Sequence, residues 1–307
     1  MKPTLVTSYI HPDLDGISGI IGYAEYLEKN DTPAVAGILG EPQFEAIYML
    51  DRFGVAHPRT IQNADEFDQV VLVDASDRND LGGMIAPEKI TEIIDHRVVH
   101  EANAFPNARV QIELVGASAT LITEKFMQGT VEPSREVASL LCGGIISNTL
   151  NFKASVTTGR DRAAAAWLNR IAGLPEDFWR EMFMAKSDVS GERLAQRMRG
   201  DSKWYVLNGK RVGITEIEMI GARALVTERA DEIIGILADI MKERQLDFIF
   251  HNTVELEELR TFLVASDPAT QQLLRDAVQA TFTGSVAELP YLLMRKEIIP
   301  LLKQALG

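Results

Sequence analysis

Three apolar runs of this chain end in carboxylate or imidazole groups. His11-Pro12-Asp13-Leu14-Asp15-Gly16 follows the run Thr4–Ile10, Asp74 follows Val70-Val71-Leu72-Val73, and Asp95-His96-Arg97 follows Ile93-Ile94. Hard divalent cations take carboxylate oxygens, and borderline ones such as Mn²⁺ also accept imidazole nitrogen. His11, Asp13 and Asp15 can therefore converge on one or two ions, with Asp13 and Asp15 spaced so that each serves a different one. Asp95 can orient the His96 ring or touch the metal itself. A fourth constellation, Arg295-Lys296, lies in the last predicted helix. Facing the acids, it could hold phosphate oxygens and offset charge developing on a transferred phosphoryl group. Each motif has an ordinary alternative. Asp15 could cap a helix starting near Ile17, Asp74 could cap a turn with Ser76 and Asp77, and Arg295 and Lys296 could lie on a solvated face. His57 and His100 have no strand-end setting and are read as ordinary residues.

The elements that must position these groups alternate. Thr4–Ile10, Ala34–Leu39, Val70–Asp74 and Ile90–Asp95 read as strands; Ile17–Lys29, Glu41–Phe53 and Ser118–Met127 read as helices. This rhythm predicts a mostly parallel sheet flanked by helices, with ligands outside the carboxyl ends of its strands. Helices are expected at Ser134–Leu150, Arg160–Ala172 and Pro175–Ala185, followed by a polar stretch, Lys186–Asp201, read as a helix tail and connection. Beyond it, Trp204–Leu207 and Val212–Ile217 flank Asn208-Gly209, a hairpin signal. Helices at Glu228–Arg244, Pro268–Ala280 and Pro290–Ala305 alternate there with strands at Phe248–His251 and Thr261–Val264. The expected fold is α/β: a metal-binding catalytic domain over 1–187, a linker over 188–202, and a smaller α/β domain over 203–307, with the active site between the two domains.

Composition narrows the partners. The 307 residues are 46% hydrophobic and carry a net charge of −13. That balance disfavours a long nucleic acid, which needs a basic face. It leaves room for a small anion, because a few cations or metal ions reverse the potential within one cleft. Cys142 is the only cysteine, so no intramolecular disulfide forms. No secretory leader is seen, and no apolar run reaches the roughly 20 residues that span a bilayer. A cytoplasmic protein is expected.

Taken in order, the motifs resemble those of the manganese-dependent, family II inorganic pyrophosphatases of the DHH phosphoesterase superfamily, over nearly the whole chain. His11-Pro12-Asp13-Leu14-Asp15 resembles the family's first acidic motif, with Tyr9 where its histidine usually stands. Val71-Leu72-Val73-Asp74 resembles the strand bearing its metal-bridging aspartate. Ile94-Asp95-His96-Arg97 stands where the family has Asp-His-His, and prune-like polyphosphatases and phosphodiesterases have Asp-His-Arg. Val115–Thr120 resembles a turn into a helix, and Ile145–Lys153 a helix end that usually carries a further metal-binding aspartate, here Asn148. Asn208–Val212 resembles a hairpin with a phosphate-binding lysine, matched here by Arg211 beside Lys210. Leu293–Pro300 resembles the family's Ser-Arg-Lys-Lys-Gln signature.

The resemblance implies two divalent ions, Mn²⁺ foremost and Mg²⁺ or Co²⁺ otherwise. Asp74 would bridge them, with His11 and Asp13 on one and Asp15, His96 and Asn148 on the other. Asn148 brings no charge, so one ion should be held more weakly. Two ions about 3.5–4 Å apart can acidify a shared water for in-line attack at phosphorus. Arg97, Lys210, Arg211, Arg295 and Lys296 would bind the substrate, and Asp74, His96 and Arg97 would form the catalytic set. The expected activity is cleavage of a phosphoanhydride in pyrophosphate or short-chain polyphosphate. The alternatives are a phosphodiesterase acting on small nucleotides, and a degenerate homologue that binds metal or phosphate without turnover. A homodimer is left open.

Overall fold

A computed structural model describes residues 2–97 and 100–307. The chain divides into two compact units, Met1–Met182 and Phe183–Gly307.

In the N-terminal unit, β1 (Thr4–Thr7), α1 (Leu14–Lys29), β2 (Ala34–Ile38), α2 (Phe44–Phe53) and β3 (Arg59–Thr60) are followed by β4 (Val70–Val73), β5 (Ile90–Asp95) and β6 (Arg109–Ile112). The six strands form one sheet in the order β3-β2-β1-β4-β5-β6, every pair parallel. Strand β4 is buried at all four positions, as expected of a central parallel strand covered on both faces. The chain winds outward from β1 to β3, then returns to start β4 on the other side of β1. The crevice at the carboxyl ends of β1 and β4 is therefore the topological switch point, where open α/β sheets place their ligands. Helices α3 (Ser118–Gln128), α4 (Arg135–Asn148) and α5 (Gly159–Ala172) complete the unit, and α6 (Phe178–Lys186) carries the boundary.

Two glycines bring α1 to the sheet and its neighbour. A Cβ on Gly19 would lie 2.6 Å from Val73 Cγ1, and one on Gly144 would lie 2.4 Å from Ser18 Oγ. No real Cβ sits so close, so both close approaches need glycine. Helix α1 begins at Leu14, three residues before the expected start. Asp13 rather than Asp15 is its N-cap, accepting from the Gly16 N–H at 3.0 Å. Asp15, thus relieved of capping, points inward and is fully buried.

The C-terminal unit opens with α7 (Arg193–Gly200), β7 (Ser202–Leu207) and β8 (Lys210–Met219), and continues with α8 (Ala222–Glu228), α9 (Ala230–Arg244), β9 (Phe248–Glu255) and β10 (Arg260–Val264). It closes with α10 (Pro268–Val278), β11 (Phe282–Thr283), β12 (Val286–Leu289) and α11 (Arg295–Ala305). Its sheet runs β11-β12-β10-β9-β8-β7, antiparallel except for the β8–β9 pair. Both faces are covered. Ile249 and Phe250, adjacent on β9, enter separate cores: one with Leu194, Met198, Ile233 and Leu237, the other with Leu263, Leu274, Ile298 and Leu302. The segment expected to be a linker, 188–202, instead carries α7, whose Leu194 and Met198 are fully buried in the first of these cores. Its surface is so charged that the apolar pair was hidden in the composition. The Asn208-Gly209 hairpin is present, both residues at positive φ (48° and 80°), as a type I′ turn needs.

Candidate metal centre

Asp15, Asp74 and His96 converge at the switch point. Their donor atoms all lie within 4.8 Å of one another. His96 Nε2 is 3.4 Å from Asp74 Oδ1 and 3.7 Å from Asp15 Oδ2. Each comes from a different element: Asp15 from the first turn of α1, Asp74 from the residue after β4, and His96 from the residue after β5.

The surrounding chain fixes each donor. The Asp15 carboxylate accepts the Ser118 and Ala119 N–H groups, both at 2.8 Å, from the N-terminus of α3, where helix amides favour negative charge. Asn148 Nδ2 adds a third bond to Asp15 Oδ2 at 2.7 Å. Ser118 Oγ donates to Asp74 Oδ1 at 3.0 Å. His96 Nδ1 lies 3.0 Å from the Val115 carbonyl oxygen. A carbonyl only accepts, so Nδ1 carries a proton and Nε2 faces the two carboxylates. That is the usual arrangement of a ligating imidazole. Asp95 accepts from the His96 N–H at 2.7 Å and from the Ser76 hydroxyl, so it orients the histidine segment and its oxygens are taken.

The electrostatics of the cluster suit a cation. Burial, then the neighbouring Asp74 carboxylate, hold the Asp15 carboxyl well above the usual carboxylate range. The same two causes raise Asp95. Burial pulls the His96 ring down, but its bond to Asp74 and the charges of Asp74 and Asp15 outweigh this and push it up to about 10. A divalent ion bound here would supply the positive charge that these crowded carboxylates favour. The donor set of two carboxylates, one imidazole and no thiolate fits Mn²⁺ or a similar hard-to-borderline ion.

Among the described residues, neither His11 nor Asp13 joins this group. His11 is exposed, with φ 58°, and its Nδ1 bonds to the Glu41 carbonyl at 3.0 Å. Asp13 caps α1, and its N–H donates to the Tyr9 hydroxyl at 2.9 Å. Asn148 meets Asp15 through its amide nitrogen. Arg97 is enclosed by Asp80, Asp95, the Asp74 carbonyl and the Tyr9 ring. In the C-terminal unit, Lys210, Arg211 and Lys296 are exposed. Arg295, at the start of α11, donates to Asp201 Oδ1 at 2.6 Å and to the Asp201 carbonyl at 2.9 Å. Ser118, Tyr9 and Asp80 were not picked out as site residues from the sequence. The turn Val115–Ser118 before an apolar helix signalled amides at a helix start; for Tyr9 and Asp80, nothing local did so.

The fold and this cluster together define a candidate divalent-metal site at the strand ends of a parallel α/β sheet. The family model of the DHH family's N-terminal domain matches residues 3–145, and that of the DHHA2 domain matches 180–305. A Shouchella clausii protein named a probable manganese-dependent inorganic pyrophosphatase is 30% identical, covering 100% of this chain and 99% of its own. One from Bacillus mycoides with the same name is 29% identical over 99% of each chain. The crystal structure of a Methanococcus jannaschii protein assigned to the family II inorganic pyrophosphatases superposes with a TM-score of 0.79 at 27% identity, over 98% of this chain and 99% of that one. The chain belongs to the family of manganese-dependent inorganic pyrophosphatases, within the DHH phosphoesterases.

Proposed function

We propose that this protein hydrolyses a phosphoanhydride bond, in pyrophosphate or short-chain polyphosphate, at the Asp15–Asp74–His96 centre. The observation that carries this reading is the convergence of two buried carboxylates and an imidazole nitrogen at the switch point of a parallel sheet. The names of its full-length relatives support it.

A bound divalent cation would lower the pKa of a coordinated water to near neutrality and polarise a phosphoryl oxygen. The chain supplies the rest. Asp15, Asp74 and His96 would hold the ion; Ser118 and the Val115 carbonyl fix the directions of Asp74 and His96. His11 and Asp13 are proposed as the residues that would hold a second ion. Lys210, Arg211, Arg295 and Lys296 are proposed to bind the substrate's phosphate oxygens. The free edge of β6, next to which Val110 and Leu114 are 45% and 66% exposed, is proposed to pair with a second copy, and sedimentation at two concentrations would reveal it. A cytoplasmic location fits a phosphate-handling enzyme whose single cysteine is buried and free.

The test is phosphate release, with Mn²⁺, from pyrophosphate, tripolyphosphate and a panel of small nucleotides. Release from the inorganic substrates, lost in Asp74→Ala, is expected. Release from nucleotides alone would move the activity to phosphodiester cleavage. No release from any of them would remove the enzymatic reading.

A further inference from the structure

Arg97 stands beside a metal ligand, yet its nitrogens are turned toward oxygens of the protein. Asp74 is held at φ 58°, a left-handed conformation that residues with a Cβ keep only where the surroundings enforce it. Two backbone bonds enforce it here. The Asp74 N–H reaches the Ile94 carbonyl at 2.8 Å, and the Asp74 carbonyl accepts from Arg97 Nη2 at 3.0 Å. The guanidinium is fixed in its turn. Nη1 bonds to the Asp80 carboxylate, with Asp77 Oδ2 at 4.0 Å; Nε is 3.7 Å from Asp95 Oδ2; and the group lies 5.5 Å above the centre of the Tyr9 ring. All three nitrogens face protein oxygens, leaving no forked edge for a phosphate. Tyr9, beneath it, also receives the N–H of Asp13, so the same stack ties the His11–Asp15 turn to the Asp74 turn.

We propose that Arg97 is a positioning residue that holds the Asp74 turn, and with it the Asp74 carboxylate, in the geometry that takes up the metal, and that it is not a substrate ligand. This rests on the metal-centre reading above, and the experiment separates the two.

Mn²⁺ is titrated calorimetrically into chelator-treated full-length protein, wild type and the variants Arg97→Gln, Arg97→Lys and Asp80→Asn. Partners that orient metal ligands are worth about 10–100-fold in affinity, so Kd for Mn²⁺ should rise by that factor in both Arg97 variants. It should rise less in Asp80→Asn, which loosens the clamp from its far end. With Mn²⁺ saturating, KM for pyrophosphate should stay within about twofold of wild type, because uniform substrate binding is untouched. Should an Arg97 variant fail to fold, as read by circular dichroism, Asp80→Asn carries the test. Unchanged Mn²⁺ affinity in the folded variants overturns the proposal, and an accompanying rise in KM would make Arg97 a substrate ligand instead. Failure of the wild type itself to take up Mn²⁺ would instead sink the metal centre.

Discussion

Buried acids occur in both units, and their neighbours differ. In the C-terminal unit, Glu255 on β9 accepts the N–H groups of Gly221, Ala222 and Glu257 at 2.8, 2.7 and 3.0 Å. Glu216 on β8 accepts from the Arg295 N–H at 2.5 Å and from Asn252 Nδ2 at 2.6 Å, and burial, opposed by the Arg295 guanidinium, pushes its carboxyl up to about 7. These acids tie helix starts to the sheet. In the N-terminal unit, Asp15 also has amide donors, but its remaining oxygen surface faces Asp74 and His96. Burial of a carboxylate is thus uninformative by itself. A ligand site is marked by a second carboxylate from a distant strand end, close enough to the first to share a cation with it.

The largest effect expected from this contrast is at Asp74. Asp74→Asn keeps the shape and tolerates positive φ, but removes one of the two carboxylates that would hold the ion. Pyrophosphate hydrolysis should fall by about 10³-fold or more, or roughly 4 kcal/mol of transition-state stabilisation. Steady-state kinetics at saturating Mn²⁺ measures it. A loss below tenfold would place Asp74 among the structural acids and erase the distinction between the units.

The contrast also shows what the sequence could reveal. Apolar runs ending in Asp or His marked β4, β5 and the turn after β1, because strand ends of a parallel sheet are the one place where such a residue gains a partner across the sheet. The alternation of strands and helices, and the Asn208-Gly209 hairpin, were equally local signals. Three kinds of feature were not legible. Helix α7 was read as a connection because Arg193, Arg197 and Arg199 dominate a segment whose only fully buried side chains are Leu194 and Met198. The exposed, half-polar strand β6 carried no apolar run. The partners of His11 and Arg97 depend on where Glu41, Asp80 and Tyr9 fall in space, and spacing along the chain does not encode that.

His251 sharpens the contrast from the side of the bases. It is fully buried on β9, shares a 2.7 Å hydrogen bond between Nδ1 and the Thr215 hydroxyl, and among the described residues has no partner on Nε2. Burial, with the nearby Arg197 charge, depresses the ring to about 3 from an ordinary value of 6.5. His96, by contrast, is raised by its carboxylates. A histidine held neutral in the folded state is protonated first in the unfolded chain. Stability is therefore complete above about pH 6.5 and is lost as pH falls toward the folded value. Between pH 7 and pH 5 this one group should cost about 1–2 kcal/mol. Urea denaturation at the two pH values measures the loss, and His251→Gln should flatten it. An equal loss in the variant would assign acid sensitivity to other groups.

The smallest effect separates a structural acid from a ligand most cleanly. Glu255→Gln keeps the volume and one acceptor oxygen, but it replaces the other oxygen with an amide that cannot accept from Gly221 and Ala222. Losing such a helix-start interaction costs about 1–2 kcal/mol in general, and about 1 kcal/mol is expected here because the acceptor oxygen can still take one bond. Mn²⁺ affinity and pyrophosphate turnover should stay within about twofold of wild type. Thermal unfolding and calorimetric Mn²⁺ titration on the same preparation give both numbers. If the substitution left stability intact and weakened Mn²⁺ binding, the assignment of Glu255 as a structural acid would fail, and with it the ground for treating the close pair Asp15 and Asp74 as the ligand site.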